Sequence, residues 1–499
     1  MASTTSPQRS PYAELTDDQC YRALKARDAR FDGVFIVGVR TTGIYCRPSC
    51  PTPVQPLQRN IDFFSTTAAA QRSGLRACKR CRPDAVPGSP EWSLRDDLVG
   101  RAMRLIARGW LDTHSVGDLA RELGVTERHL RRLMIDSVGA PPLSIARAQR
   151  AQTARVLIET TPMSFTDVAF ASGFSSLRQF NDTVRAVFDA TPTKLRDAAH
   201  RRHSGKAGAS AEHAGQLSIR LPHRHPLAAR HLVPWWSKRT VAGIADVDIE
   251  TGVIRTALRL PRGTGIAQLT IGSDEWVQAD LALDDVADLA PAVAQCRAML
   301  DLDADPEQID ATLRTLPAIR PYVEALPGLR SPGSVDGFAT AVFAILGQQR
   351  SVAAARTIAG RIVERVDGPI GAELRPFPTA EALAAADLDG LGLNGRAIDT
   401  IHAVAEQFSG RVDELAPGGD QQGITEELVA IKGIGPWTAN YIAMRVFSDP
   451  DVFLGGDLIA ERAALGLGLD EAALNSVRPW RSYLTHHLWA ASASLKGTS

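Results

Sequence analysis

The chain has 499 residues, 44% apolar and 22% charged, a balance that excludes disordered, collagen-like and fibrous proteins. No apolar run approaches the roughly 18–20 residues of a membrane span, Met1–Asp18 lacks the apolar core of a signal peptide, and six cysteines are too sparse for a secreted disulfide scaffold. A cytoplasmic protein with no membrane partner is expected, and its length suggests about three domains. The net charge of zero hides a split: residues 1–206 hold 31 Lys+Arg against 20 Asp+Glu (+11), and residues 207–499 hold 25 against 36 (−11). A basic half of this kind suits a polyanion such as nucleic acid.

The first signal along the chain is Cys46-x3-Cys50, followed after 27 intervening residues by Cys78-x2-Cys81. Two close pairs on separate loops can converge on one tetrahedral Zn2+, which accepts four thiolates and lowers their pKa values enough to keep them deprotonated. The alternatives are two redox pairs or unrelated buried thiols, and on spacing alone such a zinc site is most often a structural staple. Cys20 and Cys296 have no partners in this pattern.

The flanking strings Phe35–Cys50 and Arg76–Cys81 closely resemble the N-terminal domain of the Ada methylation-response proteins, over about residues 12–84. That resemblance implies that Cys46 takes a methyl group irreversibly from a DNA methylphosphotriester. Cys50, Cys78 and Cys81 would be the other zinc ligands, and Thr42 and Arg76 would contact DNA. Zinc and four thiolates sum to a charge of about −2, and methylating Cys46 makes the site one unit less negative, which favours the DNA backbone. Pro51 and Pro53 stand where the family carries basic contacts, so the phosphate grip is expected to differ there.

Pro83–Pro90 reads as a linker, because its prolines and glycine cannot continue a helix. Beyond it, Ser115–Leu133 has the spacing of a helix, a glycine turn and a second helix, with Thr126 as N-cap. Leu119, Leu123, Leu130 and Leu133 are the expected shared core, with Ala120 at the crossing. A second copy runs from Thr166 to Asn181, its turn glycine Gly173 lying 49 residues after Gly124, with a helix-like stretch Ser144–Glu159 between. The layout resembles the AraC-type DNA-binding domain over about residues 95–197, implying promoter recognition and, for an activator, RNA polymerase as a further partner. In such motifs the second helix enters the major groove, so Arg128, Arg131, Arg178, Gln179 and Asn181 are the candidate base readers. Otherwise they are a solvated helical face.

His200–Ser210 is a second small, polar linker, which favours two separable halves. Alternating stretches such as Thr256–Leu260 and Ala267–Ile271 predict strands within 217–285, and from about Ala290 the pattern is helical. Leu428–Arg445 then places Lys432-Gly433-Ile434-Gly435 as a hairpin before a helix, a geometry in which backbone N–H groups and a helix N-terminus can hold a phosphate. A lone G-x-G is more often an ordinary tight turn. The extended string, with Arg330–Phe338, Ala344–Gln349 and Phe453–Leu458, resembles the helix-hairpin-helix DNA glycosylases of the AlkA type over about residues 217–492.

That resemblance implies an essential aspartate at Asp457, 22 residues after Gly435, and a base pocket walled by Trp437, Tyr441 and Trp489. Bases methylated at N3 or N7 are cationic, and a carboxylate near the sugar stabilises the oxocarbenium-like transition state once the base is flipped out. Strand-cutting relatives carry a lysine where Trp437 stands, so hydrolysis without lyase activity is expected. Three positions depart from the family. Gln349 replaces the leucine wedge that fills the vacated stack, while Leu454 and Leu458 replace a proline and a tyrosine beside the aspartate.

The expected fold is multidomain α+β: a small four-cysteine zinc domain (1–84), an all-α double helix-turn-helix (91–197), a linker (198–216), a mixed α/β subdomain (217–290) and an α-helical helix-hairpin-helix glycosylase fold (291–499). The expected function is a nucleoid-associated bacterial activator that accepts methyl groups on Cys46 and excises 3-methyladenine and 7-methylguanine from double-stranded DNA. Two alternatives stay open: a regulator whose glycosylase half is inactive, and a working glycosylase whose Cys46 is inert.

Overall fold

A computed structural model describes residues 15–28, 31–52, 55–81, 83, 98–203, 216–272, 276–371, 373–417 and 419–495. Pro53, nearly all of the 83–90 linker and most of the 200–210 linker lie outside the described residues. The architecture is α+β, and no described helix is long and apolar enough to cross a membrane.

The N-terminal unit is a four-stranded sheet of β1 (Ile36–Val39), β2 (Ile44–Cys46), β3 (Ile61–Phe64) and β4 (Arg76–Ala77), in the order β3-β1-β2-β4. β1 pairs antiparallel with β2 and β3, whereas β4 lies parallel to β2 with Ile44 opposite Arg76 and Tyr45 opposite Ala77. That register brings Cys46 and Cys78 to the same end of neighbouring strands.

The helical unit follows the duplicated pattern. Helices Val116–Glu122 and Glu127–Val138 form one motif, Phe165–Ala171 and Leu177–Phe188 the other, joined by Pro142–Thr160. The turn glycines Gly124 and Gly173 sit at φ +68° and +79°, where a side chain would be strained. Thr126 caps its helix as expected, accepting from His129 N at 3.3 Å. Leu119, Ala120, Leu123 and Leu130 are buried and Leu133 packs against them.

The predicted strands form a five-stranded antiparallel sheet of β5 (Gln216–Pro222), β6 (Ala245–Asp248), β7 (Val253–Leu260), β8 (Gly263–Thr270) and β9 (Trp276–Leu283), in the order β5-β9-β8-β7-β6. Helices follow from Leu289. Two further apolar cores stabilise this half, one around Val342, Ile362 and Phe408 and one around Ile309, Trp480 and Leu484.

The units are not separate beads. One apolar cluster runs from Ile36 and Tyr45 of the cysteine unit through Leu157, Ile158 and Phe180 of the helical unit to Ile219, Leu258 and Met299 of the C-terminal half. The cysteine unit also docks on equivalent points of both second helices. Thr66 Oγ1 donates to Val138 O (3.0 Å) and Arg72 Nη1 to Gly139 O (2.6 Å), while Lys79 Nζ and Arg76 Nε reach Asp189 Oδ2 at 3.1 and 3.6 Å. Gly139 and Asp189 are the left-handed C-caps of those two helices, where the negative end of the helix dipole favours cations.

Candidate functional site

The strand register and two turns converge the four cysteines. Cys78 N donates to Tyr45 O and Cys50 N to Arg47 O, fixing both ligand-bearing loops. The Sγ atoms of Cys46, Cys50, Cys78 and Cys81 all lie within 4.8 Å of one another, with Cys50 and Cys78 4.0 Å apart. Zinc with thiolates at about 2.3 Å sets sulfur separations near 3.8 Å, so the cluster fits one Zn2+. A divalent zinc at such a site lowers thiol pKa values and keeps all four sulfurs as thiolates. Cys50 and Cys81 are buried, whereas Cys46 and Cys78 are half-buried. The chain holds a single zinc in this four-thiolate site.

Asp32 braces the loop between the first two ligands. It accepts from Ser49 N (3.0 Å) and Ser49 Oγ (2.5 Å) and pairs with Arg47 at 3.4 Å. Thr42 is exposed on the β1–β2 turn, beside Gly43, whose carbonyl accepts from Arg76 N, so the two expected DNA contacts share one end of the sheet. Pro51 is exposed. Cys20 and Cys296 are core thiols, pushed by burial up to about 11 and about 12.

On the second helices, Arg128, Arg131, Arg178 and Gln179 are exposed and Asn181 is half-buried. Arg178 lies 3.9 Å from Asp182, and Gln179 Oε1 accepts from Ser175 Oγ at 3.1 Å.

The carboxylate site is built by three helices. Asp457 N-caps Leu458–Gly466, its Oδ1 accepting from Ile459 N (3.1 Å) and Ala460 N (2.9 Å). Trp437 and Tyr441, one turn apart on Pro436–Val446, stack at 5.5 Å and 20° to form one aromatic wall. Trp489, from Arg481–Leu495, packs on the same small apolar cluster as Trp437 and Tyr441. Three residues that sequence reasoning missed back this wall. Arg445 Nη1 donates to Tyr441 Oη at 2.8 Å and is fixed by the carbonyls of Pro332 and Gly333. Arg239 stacks over Trp235 at 4.1 Å, and His486 packs edge-on against Trp489 at 4.9 Å. Burial would raise the Tyr441 hydroxyl, but Arg445 and Arg239 outweigh it and lower it.

The hairpin lies at the start of the same helix. Gly433 sits at φ +104°, and a Cβ there would fall 2.1 Å from Thr400 Oγ1. Among the described residues the N–H groups of Gly433 and Gly435 make no hydrogen bond, and Lys432 is exposed beside them. Ile434 does not join this surface: its side chain is buried and its N–H bonds to Ile431 O. Gln349 is exposed at φ +55°, and its neighbour Gln348, also missed, ties that loop to the hairpin through Gly433 O and Thr438 Oγ1, both at 2.9 Å.

Family models match the chain in three places: the metal binding domain of Ada (residues 19–84), a helix-turn-helix domain (119–198) and the AlkA N-terminal domain (218–336). A Mycobacterium tuberculosis protein described as a probable bifunctional transcriptional activator/DNA repair enzyme AlkA is 49% identical over 482 residues, 95% of this chain and 96% of that protein. The chain belongs to this bifunctional AlkA family. Escherichia coli supplies a relative for each half. DNA-3-methyladenine glycosylase 2 is 37% identical over 217 residues, 41% of this chain and 74% of the relative. The bifunctional transcriptional activator/DNA repair enzyme Ada is 33% identical over 173 residues, 34% of this chain and 47% of the relative. In family terms, the four-thiolate cluster belongs to the Ada-like part and the carboxylate site to the AlkA-like part.

Proposed function

We propose that the chain senses alkylated DNA through Cys46, activates alkylation-response genes, and hydrolyses the glycosidic bond of alkylated bases at Asp457. The observation that carries this reading is an aromatic wall, Trp437 with Tyr441, beside a carboxylate whose Oδ2 lies 3.4 Å from Trp437 Nε1, on a chain that also holds a half-exposed cysteine in a four-thiolate cluster. The ion supplies the charge that keeps four clustered thiols deprotonated. The Cys46 sulfur attacks the methyl carbon of an uncharged methylphosphotriester. The S–C bond forms, the C–O bond breaks, and its electron pair stays on oxygen to leave an anionic phosphodiester. Thr42 and Arg76 hold the DNA at that end of the sheet, and Arg128, Arg131, Arg178, Gln179 and Asn181 read promoter bases.

At the second site the hairpin amides of Gly433 and Gly435 with Lys432 grip a phosphate, and Gln349 fills the stack as the base swings out. The extruded cationic base lies on the Trp437–Tyr441 face. As the C–N bond breaks, its electrons pass to the base, the Asp457 carboxylate stabilises the positive sugar, and water adds. Trp437 stands where strand-cutting relatives carry the Schiff-base lysine, so the enzyme releases bases without cutting the strand. The working division is an acceptor domain (1–84), a reader (91–197), a linker (198–216), an α/β subdomain (217–290) and a glycosylase domain (291–499), acting on the bacterial nucleoid in the cytoplasm with RNA polymerase as partner.

The test runs wild type, Cys46→Ala and Asp457→Asn on methylated duplex DNA, reading free 3-methyladenine and 7-methylguanine together with intact protein mass. Wild type should release both bases and gain one methyl. Asp457→Asn should lose only release, and Cys46→Ala only the adduct. No release from folded wild type would leave a regulator with an inactive glycosylase half, and no adduct would make Cys46 inert.

A further inference from the structure

The hairpin before Pro436–Val446 is tied to a helix outside its own motif. Thr400, 2% exposed on Gly395–Phe408, donates through Oγ1 to Lys432 O at 3.0 Å, 32 residues later in the chain. The same hydroxyl lies 2.8 Å from Arg396 O, the contact a helical threonine commonly makes one turn back. Arg396 O belongs to the helix ladder, whereas Lys432 O has no other partner among the described residues. Gln348 Nε2 donates to the next carbonyl, Gly433 O, at 2.9 Å. Both peptide planes that flank Gly433 are therefore held by residues that precede the motif.

We propose that Thr400 is a positioning residue for the hairpin, its hydroxyl holding the Lys432–Gly433 peptide so that the Gly433 N–H faces the DNA backbone. This peptide is trans and planar, so its C=O and N–H point in opposite directions. With Lys432 O drawn toward a buried hydroxyl, the Gly433 N–H is turned away from Gly395–Phe408. It makes no hydrogen bond among the described residues, and Lys432 is exposed beside it.

Glycine itself supplies no such restraint. It takes φ values of either sign, and Gly433 sits at +104°, so the peptide plane before it can turn over at little steric cost. Turned over, it would bury the N–H and aim a carbonyl oxygen at the phosphate, setting the negative end of a dipole against a negative charge. Without the hydroxyl, Lys432 O would face a buried side chain unpaired, and that cost favours the turned-over form. The approach is close: a Cβ on Gly433 would fall 2.1 Å from Thr400 Oγ1, so the hydroxyl and the glycine fit only each other. Gln348 has a different task, since it holds the following carbonyl and the loop that carries Gln349.

This inference rests on the hairpin being the phosphate grip of a working glycosylase, so the experiment separates the two. Single-turnover release of 7-methylguanine is measured against enzyme concentration, giving the maximal rate and the half-saturation point. The duplexes carry a neutral methylphosphonate at one phosphate at a time around the lesion. In wild type at least one such change should raise half-saturation about tenfold, marking the phosphate that the hairpin holds. Thr400→Val keeps the shape and loses the hydroxyl. On the unmodified duplex it should raise half-saturation about tenfold, the scale of one hydrogen bond to a charged group, with the maximal rate unchanged. At a marked phosphate the methylphosphonate should then cost this variant little more, because the contact is already lost. Thr400→Ser restores the hydroxyl and should match wild type in both respects. A thermal melt reports folding, and if Thr400→Val melts early, Thr400→Ala should show the same pattern. A wild type that releases nothing, or that no methylphosphonate weakens, would overturn the grip and this inference with it. With a phosphate marked, three results would each overturn the role of Thr400 alone. They are wild-type half-saturation in the folded hydroxyl-free variant, full sensitivity kept at every marked phosphate, and a Thr400→Ser enzyme as weak as Thr400→Val.

Discussion

Gln349 occupies a left-handed backbone conformation that costs a non-glycine residue on the order of 1 kcal/mol. The loop keeps it there because Gln348, one residue earlier, is bonded to the hairpin carbonyl of Gly433 and to Thr438. A strained tip on a fixed base suits a side chain that must enter the base stack. Apolar burial there is worth about 0.8 kcal/mol per methylene, so Gln349→Leu should raise kcat/KM for base release several-fold. Gln348→Ala should lower it about tenfold by freeing the tip. Measured release by the two variants checks both signs, and a fall with leucine would mean that the glutamine amide makes a polar contact with DNA. The sequence singles out Gln349 because it stands where a wedge is expected. It is silent on Gln348, whose partners lie 85 and 90 residues away. Arg239 was illegible for the same reason: it reaches Tyr441 from the other subdomain, and no local pattern records that approach.

Helix Arg481–Leu495 shows what a buried element does to its titratable groups. Its central Ser-Tyr-Leu-Thr-His-His-Leu run has no apolar period, because every one of those residues is buried. Burial pushes His487 down to about 3 and His486 well below its ordinary value, so both are neutral in the fold. In the unfolded chain a histidine titrates near about 6.5. Below that pH the unfolded state therefore holds a proton that folded His487 refuses, and its contribution to stability is lost as pH falls toward about 3. The slope for one proton is about 1.4 kcal/mol per pH unit. His487→Asn should flatten the acid branch of the stability curve by that amount, read from urea unfolding at several pH values between about 6.5 and 4. Equal slopes in the two proteins would show that His487 is protonated within the fold. By contrast, the duplicated helix-turn-helix was legible element by element, since its caps, turn glycines and leucine spacing are all local.

At the scale of the whole molecule, the polar stretch after His200 suggests two halves that come apart, and the packing opposes it. Leu157 and Ile158 of the helical unit share a core with Ile219 and Leu258 of the five-stranded sheet, across that stretch. Sequence periodicity marks a helix through Leu157 and a strand through Leu258 and cannot say what either packs against. A protease site inserted within residues 204–215 should therefore yield a nicked chain whose fragments elute together, at a size matching 53.6 kDa, in gel filtration. Fragments that elute apart would show that the shared core contributes too little to hold them. The common core also sets what genetics would find. Substitutions at Cys46 or Asp457 would each silence one trait, and recombining the two single mutants would restore a normal chain. Substitutions at Leu157 or Leu258 would fail in induction and excision alike, so a screen scoring either phenotype would also return alleles of the other.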